Sequence, residues 1–322
     1  MRRSQPLVPD KQPEGTEMSP IHKQARWPDG KACAFVLTVA FEAELAILAE
    51  APDAADRAKS LSVGQYGGIR GVDRLLAELA HTDTRASWFI PGANLTTYRR
   101  QVEAVAAAGH EVANMGWALE DLSTLTLEEQ VDNVAKAQSA FEIILGVKPV
   151  GFRGGRGEYA RGLPTALAEA GFLWSSSWHG DDLPHLHAAE ASTLVELSRH
   201  HELDDFPYFV FNLDPPIPNG SPRIASTREV LRNWILEFDA YRAEGLCFVL
   251  TIHPEITATP GRIHLLREFM SHVTSFGDVW TATGKEVATW WRKRNEPNEP
   301  GHPAEVFHTL TTAPECNPKK IR

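Results

Sequence analysis

Residues 109–126 read GHEVANMGWALEDLSTLT, a strand-like HEVAN followed by a turn at Met115, Gly116 and Trp117. An N-cap signal follows at Ser123 or Thr124, ahead of a helix opened by Glu128 and Glu129. Upstream, the apolar periodicity of 99–108 stops at Gly109, a residue suited to the left-handed position after a helix. Helix, strand, turn and helix in this order make one βα unit.

Working outward, the same unit recurs on both sides. ACAFVLTVAF (32–41) is a near-continuous apolar run of the kind buried on both faces of a parallel sheet. After an insertion over 42–59 comes an amphipathic helix at 72–80, then a strand at 86–90 ending in Pro91 and Gly92. Helices at 127–145, 163–170, 227–243, 262–276 and 284–293 alternate with strands at 150–153, 173–176, 194–197 and 279–281, and with CFVLTI, which ends at His253. Alternation of this kind predicts an α/β protein with a parallel sheet or barrel. Residues 1–26 and 296–322, rich in Pro, Lys, Glu and Asn and without apolar periodicity, read as an N-terminal arm and a C-terminal tail around one domain at 27–295.

A formal charge of −10 with no Lys/Arg-rich tract argues against nucleic acid and anionic membranes as partners. No apolar run reaches the ~18 residues a membrane span needs, and the charged start MRRSQPLVPDKQPEG lacks an apolar leader, so a cytoplasmic location is expected. Cys33, Cys247 and Cys316 are odd in number and widely spaced, which predicts neither a disulfide framework nor a thiolate metal site. GGIRG and GRGEY lack P-loop spacing, which disfavours nucleotide binding. His179, His185 and His187 with Asp181 and Asp182 form a local cluster, a weak signal for a separate metal site.

Seven ordered segments carry a more specific signal: LSVGQYGGIRGVDRLL (61–76), ASWFIPG (86–92), residues 109–126, GFRGGRGEY (151–159), HGDDLPH (179–185), ELDDFPYFVFN (202–212) and LTIHPEITATPGRIHLLREFM (250–270). Together they resemble the polysaccharide deacetylase family (NodB-homology, carbohydrate esterase family 4), in its branch of peptidoglycan deacetylase-, cyclic imidase- and allantoinase-like proteins. The resemblance implies an irregular (β/α) barrel of about seven strands, with the site at the strands' C-terminal ends. It also implies a hydrolase acting on non-peptide C–N bonds, and an assembly that is often a homo-oligomer.

In that family the first strand delivers a catalytic aspartate and a carboxylate metal ligand, and residues 109–126 deliver two histidine ligands. The matching positions here are Ala40, Glu42, Met115 and Leu119. Ala40 cannot take a proton, Leu119 has no lone pair, and the Met115 thioether suits soft copper rather than zinc. No metal or other cofactor is therefore expected. Losing the ion removes on the order of 10 kcal/mol of water activation, while general base help supplies roughly 3–5 kcal/mol. Such a site suits a cyclic imide, ureide or other activated acyl compound better than an unstrained acetamide.

Other positions match. The resemblance makes His253 the acid, Asp204 or Asp205 the aspartate that tunes it and Arg153 the arginine that orients the base, and with Ala40 at the base position Glu42 is the candidate base. Met115, Leu119, Trp117, Asp182 and His179 are candidate substrate contacts. The partner is expected to be a small amide, imide or acylated sugar. Two readings stay open: a metal-independent hydrolase, and an inactive relative that binds a ligand or partner in the old pocket.

Overall fold

The apolar run at 32–41 becomes β1 (Cys33–Ala40), every residue of which is buried. The computed structural model describes residues 27–187, 194–210 and 223–312. The arm at 1–26, Cys316, and Phe211 and Asn212 of the ELDDFPYFVFN segment lie outside the described residues.

Behind β1 come β2 (Ser87–Ile90), β3 (Glu111–Asn114), β4 (Gly151–Phe152), β5 (Trp174–Ser175), β6 (His185–Leu186), β7 (Val195–Glu196), β8 (Cys247–Ile252) and β9 (Val279–Ala282). They form one sheet in the order β6-β7-β5-β4-β3-β2-β1-β8, and β9 pairs with the first half of β1. Every pairing is parallel except β6 with β7. The path from β7 to β8 thus supplies the seven parallel strands expected of the curled barrel. Beyond β8, backbone bonds take over from a ladder: Cys247 N–H donates to Asp182 O at 3.0 Å and Asp205 N–H to Thr251 O at 3.2 Å.

Side chains on a strand alternate in direction, and β1 and β8 divide accordingly. Phe35, Leu37 and Val39, with Phe248, Leu250 and Ile252, pack outward against Leu75, Trp234, Phe238 and Phe269 of the surrounding helices. Ala34, Val36 and Ala40, with Val249, point inward with Phe89, Met115, Leu119 and Trp174. The inner row of β1 therefore runs 34, 36, 38, 40 and that of β8 runs 247, 249, 251. One further step in each row reaches Glu42 and His253.

Local signals place most helices where the sequence put them. The cap of Leu127–Leu145, however, is Thr126, whose side chain exchanges hydrogen bonds with the Glu129 residue in a full capping box. Ser123 and Thr124 belong instead to a short 3-10 turn capped by Asp121. The GGIRG segment is helical rather than a glycine loop, forming a π turn that joins Ala58–Tyr66 to Val72–His81. A Cβ on Gly71 would lie 2.4 Å from the Pro254 carbonyl oxygen, so glycine is what lets this turn press against the residue after His253.

The segment read as a tail returns to the barrel over its described part. Asn298 accepts from Leu186 N–H and donates to Leu186 O, covering the free edge of β6. His302 is buried and Phe307 meets Trp178 edge-on before the helix Pro303–Thr312 ends. The Asn298 bonds are polar edge contacts made by Pro-rich chain, which leave no apolar period to read there. Among the described residues no helix is long and apolar enough to cross a membrane.

Gly71→Ala should force Pro254 to move, costing about 1–3 kcal/mol of stability by urea denaturation.

Candidate functional site

The two inward rows, carried one step past their strands, meet in a cavity of about 240 Å³ at the C-terminal mouth of the barrel. Ala40, Glu42, Met115, Leu119, Arg153, Asp204 and His253 all line it. A larger hollow of about 620 Å³, lined by Arg85, His110, Lys148 and Lys285 among others, sits by the start of β3 and holds none of the expected acid–base residues.

His253 is fixed through a single carboxylate. Asp205 accepts from the His253 backbone N–H at 2.9 Å, lies 2.6 Å from His253 Nδ1, and accepts from Thr257 Oγ1 at 2.5 Å. Asp205 is fully buried, and its own backbone N–H is tied to Thr251 of β8. With Nδ1 facing Asp205, Nε2 faces Glu42 Oε1 at 3.9 Å. One water oxygen or substrate heteroatom can sit within hydrogen-bond reach of both. Asp204 Oδ1 lies 3.8 Å from Nδ1, while Asp204 accepts from Phe206 N–H and pairs with Arg199 at 3.1 Å. Asp205 therefore orients the imidazole and Asp204 anchors the cavity rim.

Burial pulls the His253 imidazole down, but the Asp205, Asp204 and Glu42 carboxylates outweigh it and leave the group raised to about 10. At neutral pH it is an imidazolium with its proton directed at Glu42. Burial pushes the Glu42 carboxyl above its ordinary range against the pull of His253, Arg199 and Arg153. A carboxyl raised by burial and an imidazole raised by neighbouring carboxylates thus face each other, and perturbed groups of this kind cluster at functional sites.

Arg153 departs from its expected role. The fully buried guanidinium lies with its carbon 4.0 Å from the Phe89 ring centroid. Its Nε donates to Ser176 O at 2.8 Å, and one terminal nitrogen donates to Ser176 Oγ at 2.8 Å and Thr38 Oγ1 at 3.2 Å. Among the described residues no carboxylate comes within ion-pair distance, so Arg153 grips neither Glu42 nor Asp205. Burial, with Arg199 nearby, pulls it down to about 9.

Met115 and Leu119 are buried in one apolar cluster with Ala40, Phe89 and Trp174. Leu119 holds a left-handed backbone at φ 61°, and Ala43, next to Glu42, one at φ 52°. Such conformations are costly for non-glycine residues and concentrate at functional turns. The family normally works with a divalent cation, and the donors matched to its ligand set fit one poorly: the Met115 thioether and the Leu119 isobutyl group stand at the histidine positions and leave the Glu42 carboxylate as the one hard donor. Asp204, Asp205 and His253, whose ligand atoms lie within 4.8 Å of one another, are already taken up by the Asp205–His253 bond and the Asp204–Arg199 pair.

Three expected substrate contacts lie elsewhere. Trp117 faces out of the turn, under Lys136 Nζ at 3.8 Å and against Gly92. Asp182 accepts from Tyr241 Oη and lies 3.1 Å from His200, on the outer side of β8. His179 is exposed and stacks on His201 with ring centroids 4.5 Å apart. Nor do His179, His185 and His187 assemble as ligands, since His187 is bonded to Glu196 at 2.8 Å. His185 meets Asp181 and His302 instead, with ligand atoms within 4.8 Å. There His302 Nδ1 accepts from Ala304 N–H, which leaves the proton on Nε2 for Asp181 at 3.0 Å, a helix cap rather than a set of open donors.

The reading of the residues missed Thr38, Thr251, Arg156, Arg199 and His201. Counting by two along the first and eighth strands finds Thr38 and Thr251; the others come from loops without a periodic signal. Asp205→Asn should cost about 3–5 kcal/mol by breaking a buried pair. The wild-type pair stabilises fully below the ordinary histidine value of 6.5 and loses that stabilisation as pH rises through about 10, so the wild-type advantage measured by urea melts should shrink across that window.

The polysaccharide deacetylase family profile matches residues 67–174. The peptidoglycan deacetylase of Helicobacter pylori is 26% identical over 266 residues, covering 74% of this chain and 90% of that protein. The crystal structure of PuuE allantoinase shares the fold, with a TM-score of 0.72 at 18% identity over 86% of this chain and 96% of that one. A crystal structure from Mycobacterium smegmatis, assigned as a polysaccharide deacetylase, is 33% identical with a TM-score of 0.82, covering 88% of this chain and 98% of that one. With identity at that level sustained over nearly the whole length of the relative, the chain belongs to the polysaccharide deacetylase family.

Proposed function

We propose that this member of a family of C–N bond hydrolases works without the family's metal, on a small cyclic imide, ureide or comparably activated amide. The observation that carries the reading is the Glu42–His253 pair, 3.9 Å apart across a cavity in which Met115 and Leu119 occupy the positions matched to the family's histidine ligands. Glu42 takes a proton from water as its oxygen attacks the carbonyl carbon. The C–N bond then breaks as His253 Nε2 gives its proton to the leaving nitrogen. Return of the proton from Glu42 to His253 restores the starting state, so the net change is addition of one water across the bond.

Each residue has a defined part. Asp205 keeps the imidazole charged and turned toward Glu42, and Asp204 with Arg199 holds the rim. Met115, Leu119 and Ala40 exclude bulk water, which strengthens the charge interactions inside. A base alone is worth about 10²–10⁴-fold, short of what metal activation supplies. That shortfall favours ring-strained or ureide carbonyls over acetylated sugars. A ligand-binding protein without turnover is the second reading, supported by the apolar filling around Met115 and Leu119.

With succinimide, hydantoin and N-acetylglucosamine as test compounds, the cyclic compounds should be turned over. Glu42→Gln and His253→Ala should each lower kcat/KM about 10²–10⁴-fold with the fold intact by circular dichroism. Turnover by the wild type that survives both substitutions would sink the assignment, and no turnover of any of the three would favour the second reading. The kcat/KM profile should rise as Glu42 loses its proton, above the ordinary carboxylate range, and fall as pH passes about 10, where His253 loses its own. Mass spectrometry of the purified protein should find no stoichiometric divalent ion. Calorimetry should detect such binding once Ala40→Asp, Met115→His and Leu119→His are combined.

A further inference from the structure

Among the described residues three guanidinium groups line the cavity, and two of them have a carboxylate at ion-pair distance. Arg156 pairs with Glu50 at 3.1 Å and Arg199 with Asp204 at 3.1 Å. Arg153 is the most buried of the three, and its hydrogen bonds end on neutral oxygens of Ser176 and Thr38. Its remaining arm, Nη1, is buried and has no acceptor. Ala40 stands two residues along the inward row from Thr38, which Arg153 touches, and presents only a methyl group to the same cavity. A buried cation without a counter-charge is costly, and a guanidinium fork matches the planar geometry of a carboxylate. Among the described residues His253 is matched by Asp205, and Glu42, the remaining carboxylate of the cavity, lies 3.9 Å from His253 rather than at ion-pair distance from Arg153, so no carboxylate touches this guanidinium.

We propose that the ligand of this cavity carries a carboxylate, which Arg153 Nη1 receives over the methyl of Ala40. This rests on the hydrolase reading only in placing the bond to be cut beside Glu42 and His253. The substrate class narrows to small acids bearing an amide, imide or ureide, and a neutral sugar chain is disfavoured. Arg153 acts by binding and orienting the anion; proton transfer stays with Glu42 and His253.

The test uses two matched pairs, succinamate with succinamide and acetate with acetamide, by calorimetry and thermal shift on the full chain. Each anion should bind at least about 30-fold more tightly than its neutral isostere, the low end for a desolvated charge pair. Arg153→Gln should abolish that preference. Because a change at so buried a site can disturb folding, Ala40→Asp is the second variant: it leaves Arg153 in place and supplies a carboxylate from the chain. It should raise the melting temperature and erase the preference for anions. Wild-type protein that binds acid and amide alike, or binds neither, overturns the proposal, as does Ala40→Asp protein that keeps the full preference. Glu42→Gln separates the two readings: loss of turnover with the anion preference intact supports both, whereas preference in a wild type that turns nothing over refutes the hydrolase reading alone.

Discussion

The parallel ladder between β1 and β8, in register from Ala34 opposite Cys247 to Val39 opposite Ile252, is the constraint on which the site depends. Because side chains alternate along each strand, this register sets Thr38 against Thr251 inside the barrel. Their hydroxyls meet at 3.0 Å, and the next inward steps are Glu42 and His253. A slip of one residue in either strand would turn the group that strand carries out toward the helices. The placement of Glu42 opposite His253 is thus a consequence of strand register, held by the apolar rows on the outer face.

A second layer fixes direction rather than position. Asp205 binds the backbone, the ring and the next turn of the His253 segment at once, so neither the chain nor the imidazole can rotate independently. From the other side, Gly67 and Gly71 allow the π turn to pack onto Pro254 and Glu255. His253 is therefore clamped between an aspartate from one loop and a glycine-lined turn from another. The metal-ligand positions have no such clamp. Met115 and Leu119 simply join the apolar core, and the hydrogen-bond network stops at Arg153.

That asymmetry explains what kind of chemistry the cavity favours. His253 and the Glu42 carboxylate facing it sit in a hydrogen-bonded surround, while Met115 and Leu119 form part of the apolar wall. Arg153 keeps its place because Ser176, Thr38 and the Phe89 ring still support it, although the position before Glu42 in the inward row no longer offers a charge. A ligand that brings its own anion completes the arrangement better than one that does not.

The sequence by itself determined the class of fold, because buried parallel strands and amphipathic helices write different periods into the chain, and Gly109, Gly146 and Gly245 mark where helices end in the left-handed conformation. It also pointed to Glu42, His253, Asp205 and Met115, since a family motif preserves the spacing of residues at strand ends. Only the tertiary structure decided which of the remaining candidates share the cavity. Trp117 lies between two inward residues yet faces a helix, and His179 and Asp182 sit on a loop whose direction no local signal records. Arg199, Arg156 and His201 reach the rim from other segments, brought there by contacts between loops far apart in the chain. The solitary state of Arg153 is a tertiary fact as well, because a missing partner is visible only when every neighbour has been placed.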